Sequence, residues 1–213
     1  MKQNEVQRHM IRYQGEIDHL GYLLDRAKNA LPTDFEGYRH YTHDAARMAE
    51  RITCGLRDFV VETCFVTKKE VLEQAAEEHG ITIAQEDGWV KITLPGLLPK
   101  KKGGSCRFIA DPMSAALISY GQKNSIERFR HAVVCFRHLY SSTLPERAVR
   151  DNDNFETKQV LDVIADHFLE DDNGLLCSNL YISDLGESEG TEVYVMPPEK
   201  LGEWLDLHPI KTL

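Results

Sequence analysis

Several things are scarce in this chain, and each scarcity excludes a class. No apolar run approaches the roughly 18 residues that a membrane-spanning helix needs. The opening residues, Met1-Lys2-Gln3-Asn4-Glu5, are polar and carry no apolar signal region, so a soluble, cytoplasmic protein with no membrane partner is expected. Only five cysteines occur: Cys54, Cys64, Cys106, Cys135 and Cys177. Their number is odd and none stands in a Cys-x-x-Cys pair, which argues against a disulfide framework and a zinc ribbon. They read as small buried apolar residues in a reducing compartment. There is no glycine-rich loop of the nucleotide-binding kinds and no nucleophile elbow. Basic residues are outnumbered, 25 Lys and Arg against 34 Asp and Glu. A net charge of −9, taken whole, counts against nucleic-acid binding.

What is present suffices for a core. An apolar share of 42% over 213 residues suits one large domain, or a compact domain with an appendage. Val6, Met10, Tyr13, Ile17, Leu20 and Leu24 recur at helical spacing and predict a helix from Met1 to about Ala30. Leu31-Pro32-Thr33-Asp34 breaks it. A second helix is expected from about Glu36 to Phe65, with Ala45, Met48, Ile52, Leu56 and Phe59 as its stripe. Two long helices with a short connection predict an antiparallel hairpin. Such a hairpin must pack on the rest of the chain or on a second copy.

Thr67-Lys68-Lys69-Glu70 has the form of a capping box and opens a short helix that ends at His79-Gly80. Beyond it the pattern changes to strands, with Ile81–Ala84 and Trp89–Leu94 joined by a Glu86-Asp87-Gly88 turn. The domain boundary is therefore expected near residue 80, with a helical unit over 1–80 and a mixed α+β unit over 81–213. The following loop carries Lys100-Lys101-Lys102. Cys106–Ile109 reads as a short strand, Asp111–Ser119 as a helix and Ser125–Phe129 as one more helical turn. Ala132–Phe136 reads as a central strand. The last elements expected are a strand over Leu176–Ser183, a polar turn, a strand over Thr191–Val195 and a short helix over Glu199–Leu205.

Charge is unevenly spread. Residues 98–150 hold ten Lys or Arg against three Asp or Glu, a net of +7, while residues 151–206 hold two against fifteen, a net of −13. A metal-dependent nuclease needs such a division, with one part for phosphate and one for metal. Two solvated surfaces of different sign give the same pattern. Asp151-Asn152-Asp153-Asn154 precedes a helix whose buried stripe is Val160, Leu161, Ile164 and Phe168, and Asp171-Asp172 follows it. Capping of the helix and a solvated turn account for part of this. In an extended segment, however, the Asp-x-Asp spacing puts both carboxylates on one side. Carboxylates suit Mg²⁺ because it is a hard ion that takes oxygen ligands. Lys158 could stabilise a scissile phosphate, or could simply pair with Asp162 four residues on. Lys100, Lys101, Lys102 and Arg107 form the best phosphate-contacting strip, which Arg128, Arg130, Arg137, Arg147 and Arg150 could extend.

Together, Asp151-x-Asp153-Asn154, a following lysine, Leu161-Asp162, Asp171-Asp172 and a strand resemble the signature of RusA-type Holliday junction resolvases. Ile92 to Lys100 is similar to the opening strand and Gly-x-Pro-x-x-Lys loop of that family. The likeness covers about residues 85–198, and Lys158 stands one residue later than in the family pattern. It implies an α+β, sandwich-like fold, a homodimer, and nicking of branched DNA with Mg²⁺ or Mn²⁺. By that likeness Asp151, Asp153 and Asp172 would hold metal, with Asp171 as a further ligand and Lys158 assisting. The whole chain also resembles a bacterial family carried on mobile elements. Two alternatives stay open: a non-catalytic accessory protein that keeps the fold and binds nucleic acid or protein, and an acidic surface that mimics DNA.

Overall fold

The computed structural model describes residues 3–86, 88–101, 106–126, 128–143 and 149–209. Two compact units emerge, Met1–Val71 and Leu72–Leu213, where the sequence placed the change near residue 80. None of the described helices is long and apolar enough to cross a membrane.

The first unit is the expected hairpin: α1 (Gln3–Ala30) against α2 (Phe35–Thr63). Asp34 starts α2, its Oδ1 accepting the Gly37 amide at 2.8 Å. Leu23, Ala45, Met48 and Ile52 make the buried seam, with Leu20, Tyr41 and Leu56 packed against it. The pairing is antiparallel: Tyr13 donates to the Gly55 carbonyl at 2.7 Å near one end, and Arg26 donates to Tyr41 at 3.0 Å near the other. A Cβ at Gly55 would lie 2.9 Å from the Tyr13 hydroxyl, so glycine permits this approach. The single α1 stripe read from sequence is split in two. Tyr13, Leu23 and Ala27 are buried, whereas Met10, Ile17, Leu24 and Leu31 are 54%, 46%, 53% and 54% exposed.

The capping box forms ahead of α3 (Lys68–Glu78): the Thr67 amide donates to Glu70 Oε2 at 2.8 Å, and the Glu70 amide to Thr67 Oγ1 at 3.2 Å. Gly80 then takes φ +70°, the left-handed value expected of a helix-ending glycine. In the second unit a five-stranded mixed sheet has the order β1-β2-β5-β3-β4. Its strands are β1 (Thr82–Glu86), β2 (Trp89–Leu94), β3 (Ala132–Ser141), β4 (Cys177–Gly186) and β5 (Gly190–Met196). β3 lies between an antiparallel β5 and a parallel β4, the central position its apolar run predicted. One sheet face carries Ile92, Val134, Phe136, Val193 and Val195 and packs with α4 (Arg107–Lys123) and α5 (Lys158–Phe168). The other carries Trp89, Val133, Cys135, Tyr194 and Met196 and is closed by Trp204 of α6 (Leu201–Leu207).

Three local expectations are corrected. Cys106–Ile109 is not a strand: the helix starts at Arg107 and runs through Pro112. The proline disfavours a helical residue before it, which made Asp111 look like a start. Of the helical turn expected over Ser125–Phe129, Glu127 lies outside the described residues and the other four are not helical; Phe129 instead bridges to Leu169. Asp151 to Asn154 does not cap α5, because Asn152–Asn154 is a separate 3-10 turn and α5 begins only after Thr157.

Candidate functional site

Where β3 ends, two loops remote in sequence are laced together. Lys100 and Phe155 face each other in an antiparallel bridge. The Lys101 amide donates to the Asn154 carbonyl at 2.9 Å, and the Glu156 amide to the Pro99 carbonyl at 2.8 Å. Arg150 adds a guanidinium bond to the Leu98 carbonyl (3.1 Å), and its amide donates to the Tyr140 hydroxyl (2.9 Å). Phe155, 2% exposed, is the apolar anchor of this clasp. The lysine loop and the first acidic cluster are therefore neighbours. Lys102 and Arg147 lie outside the described residues.

The acidic residues meet different fates. Asp151 is extended (φ −62°, ψ 140°), while Asp153 sits inside the 3-10 turn. At three residues per turn, successive side chains step by about a third of a turn, so the same-side placement expected of an extended Asp-x-Asp is lost. Asp151 Oδ2 accepts from Asn154 at 3.4 Å, and Ser183 of β4 holds Asn152 at 3.0 Å. Asp171 builds its own turn, accepting the Asn173 amide (3.1 Å) and side-chain amide (2.8 Å). Those bonds hold its carboxyl below the usual range. Lys158 binds both oxygens of Asp162, at 2.9 and 3.1 Å. That bond, then the charges of Asp162, Asp172 and Glu156, raises the ammonium's pKa. Arg107 pairs with Asp111 at 3.1 Å. Among the described residues, no three His, Cys, Asp or Glu side chains are grouped so as to hold a metal ion, and the Mg²⁺ site remains an expectation of the sequence.

Two polar clusters were not foreseen. On the α4/α5 face of β3, His138 is fully buried, stacked on Phe155 with ring centroids 3.8 Å apart. Its Nδ1 lies 3.3 Å from Thr191 Oγ1, and Thr191 donates to the Gly96 carbonyl at 3.0 Å. Burial, with the positive charge of Arg150, lowers the imidazole to about 4, so it is neutral at pH 7. On the opposite face, Arg137 bridges Asp184 (2.5 Å) and Glu192 (2.9 Å), and Lys91 adds a second cation to Glu192 at 2.7 Å. Burial raises Glu192, but the Lys91 and Tyr194 hydrogen bonds and the two cations outweigh it and leave its pKa lowered. Arg137, Asp184, Glu192 and Lys91 come from four different strands, with no local spacing to betray them. Burial pushes the Cys135 thiol up to about 12, an inert sulfur, and Cys106 and Cys177 are likewise buried. Cys64 departs from the expected burial and is exposed, because it caps the end of α2.

The profile of a family of unknown function, DUF6100, matches residues 2–212, and the chain belongs to that family. No curated protein matches. Among solved structures, the periplasmic domain of Helicobacter pylori MotB aligns at 13% identity over 63% of this chain and 93% of that one, with a TM-score of 0.36. A likeness at that level carries no argument.

Proposed function

We propose that this DUF6100 chain is a non-catalytic binding protein that works as a homodimer joined through its hairpin. The observation that carries the reading is the exposed row Met10, Ile17 and Leu24 on α1, continued by Leu31 in the turn that follows it. With the partly or fully buried Val6, Tyr13, Leu20 and Ala27, it completes a seven-residue apolar repeat over three heptads. Helix α2 takes residues of the second set together with Leu23. A row at constant spacing is self-complementary: turned antiparallel, position 10 meets 31 and position 17 meets 24, so apolar meets apolar at each level. Its flank is uncharged at Gln7, Gln14 and Gly21, and the same spacing then brings one cation, Lys28. Two of the groups expected to take part in chemistry are meanwhile engaged in local structure, Lys158 with Asp162 and Asp171 with Asn173.

A second reading is a RusA-like endonuclease that cuts branched DNA with Mg²⁺ or Mn²⁺. One observation favours it: the clasp sets Lys100 and Lys101 beside Asp151 to Asn154. A thermal melt at two protein concentrations, with and without Mg²⁺, separates the two. A dimer whose folding is tied to association melts higher when more concentrated, and a protein that binds the ion melts higher in its presence. The homodimer reading expects only the first effect. A midpoint raised by Mg²⁺ alone, together with junction cleavage lost in Asp153→Asn, would replace it with the nuclease.

A further inference from the structure

At the other end of the sheet, where β3 begins and β5 ends, cations gather in a chain that is acidic overall. A cavity of about 490 Å³ opens between residues 128–131, the β1–β2 turn at Gly88 and residues 197–200. Arg128, Arg130, His131 and Lys200 line it, with Glu199 as the one carboxylate among the described lining residues. The size falls within the range of small-molecule sites. Two of the cations are fixed by their surroundings. Arg128 donates to the Asp166 carbonyl at 2.5 Å and the Leu169 carbonyl at 3.4 Å, so the end of α5 holds the guanidinium without neutralising it. Three of its five N–H donors are left for a ligand. The Lys200 stem crosses Gly88, where a Cβ would come within 2.9 Å of Lys200 Cε, and its ammonium is steadied by Glu203 at 2.6 Å. Among the described residues neither Arg128 nor Arg130 is in an ion pair with a carboxylate.

Behind this mouth lies a smaller cavity of about 80 Å³ that shares Gly88 and Phe129 and is otherwise lined by Val90, Tyr120, Ile126 and Phe168, with Gln85 as its polar edge. The two together have a cationic entrance and an apolar, aromatic floor. We infer that this end of the sheet binds a small phosphate monoester, its phosphate between Arg128, Arg130 and Lys200 and its body against Phe129. Phosphate is favoured because guanidinium forks match its oxygens in pairs, and Arg128 and Arg130 supply two such forks. The site stands independently of the hairpin dimer and of the clasp at the far end of β3.

The test is calorimetric titration of the full chain with phenyl phosphate and, separately, with inorganic phosphate. One phenyl phosphate per chain is expected, bound more tightly than inorganic phosphate because only the ester reaches the apolar floor. Arg130→Ala should weaken phenyl phosphate about tenfold, the loss of one charge-assisted hydrogen bond, and Arg130→Lys should restore part of it. Lys200→Ala, read in parallel with the melting point of each variant, guards against a folding defect at either position. Absence of saturable heat with both probes overturns the site. So does an affinity left unchanged by both Arg130→Ala and Lys200→Ala.

Discussion

The two units solve the same burial problem differently. The sheet unit covers both of its faces, one with α4 and α5 and the other with α6, and side chains such as Phe136, Val193 and Trp204 are fully buried. The hairpin has only two helices, and each can bury one face against the other. Its closed seam is short of apolar contacts, and it leaves a row of large side chains in solvent. A self-sufficient core tolerates a polar surface anywhere, whereas an amphipathic pair that exposes a second apolar row leaves a surface of the kind that interaction sites use.

The comparison can be broken hardest in the sheet. Phe136→Ala should cost about 4 kcal/mol, as large-to-small changes in a sealed core do, and a denaturant melt would read it. A loss under 1 kcal/mol would mean that the sheet unit is no better packed than the hairpin. Next comes pH. His138 is neutral in the fold with a value lowered to about 4, and in the unfolded chain it titrates near 6.5. Its stabilising contribution is complete above about 6.5 and drains away as pH falls towards 4, by about 3 kcal/mol in all. His138→Leu should flatten that slope, measured as melting temperature against pH. Arg137→Met leaves Asp184 and Glu192 without their shared cation, and with the side chain 19% exposed the cost should be about 2 kcal/mol. Adding Asp184→Asn and Glu192→Gln should recover most of it. The smallest effect belongs to the hairpin: Asp34→Ala removes the cap of α2 for about 1 kcal/mol, visible as lost helical circular dichroism on heating.

Much of the architecture was legible because its signals are local. The hairpin, the capping box at Thr67–Glu70, the turn at Gly88 and the central strand at Ala132–Phe136 each follow from neighbours in sequence. What was missed is nonlocal. The clasp depends on backbone bonds between residues 98–101 and 150–156, and backbone amides have no sequence signature. Arg137, Asp184 and Glu192 converge only once β3, β4 and β5 are placed side by side. The acidic segment was legible as a cluster but not as geometry, since the 3-10 turn that separates Asp151 from Asp153 in direction arises from Asn152–Asn154 closing on Asp151. The α1 stripe was read as one face because periodicity alone cannot tell which half of a wide stripe a single partner helix will cover.

Sedimentation equilibrium on the full chain and on the Ile17→Glu/Leu24→Glu variant tests the central claim most directly. The homodimer predicts a wild-type mass of twice 24.3 kDa and a variant at the monomer mass with its helical content intact. A monomeric wild type, or a dimer indifferent to both glutamates, would contradict it.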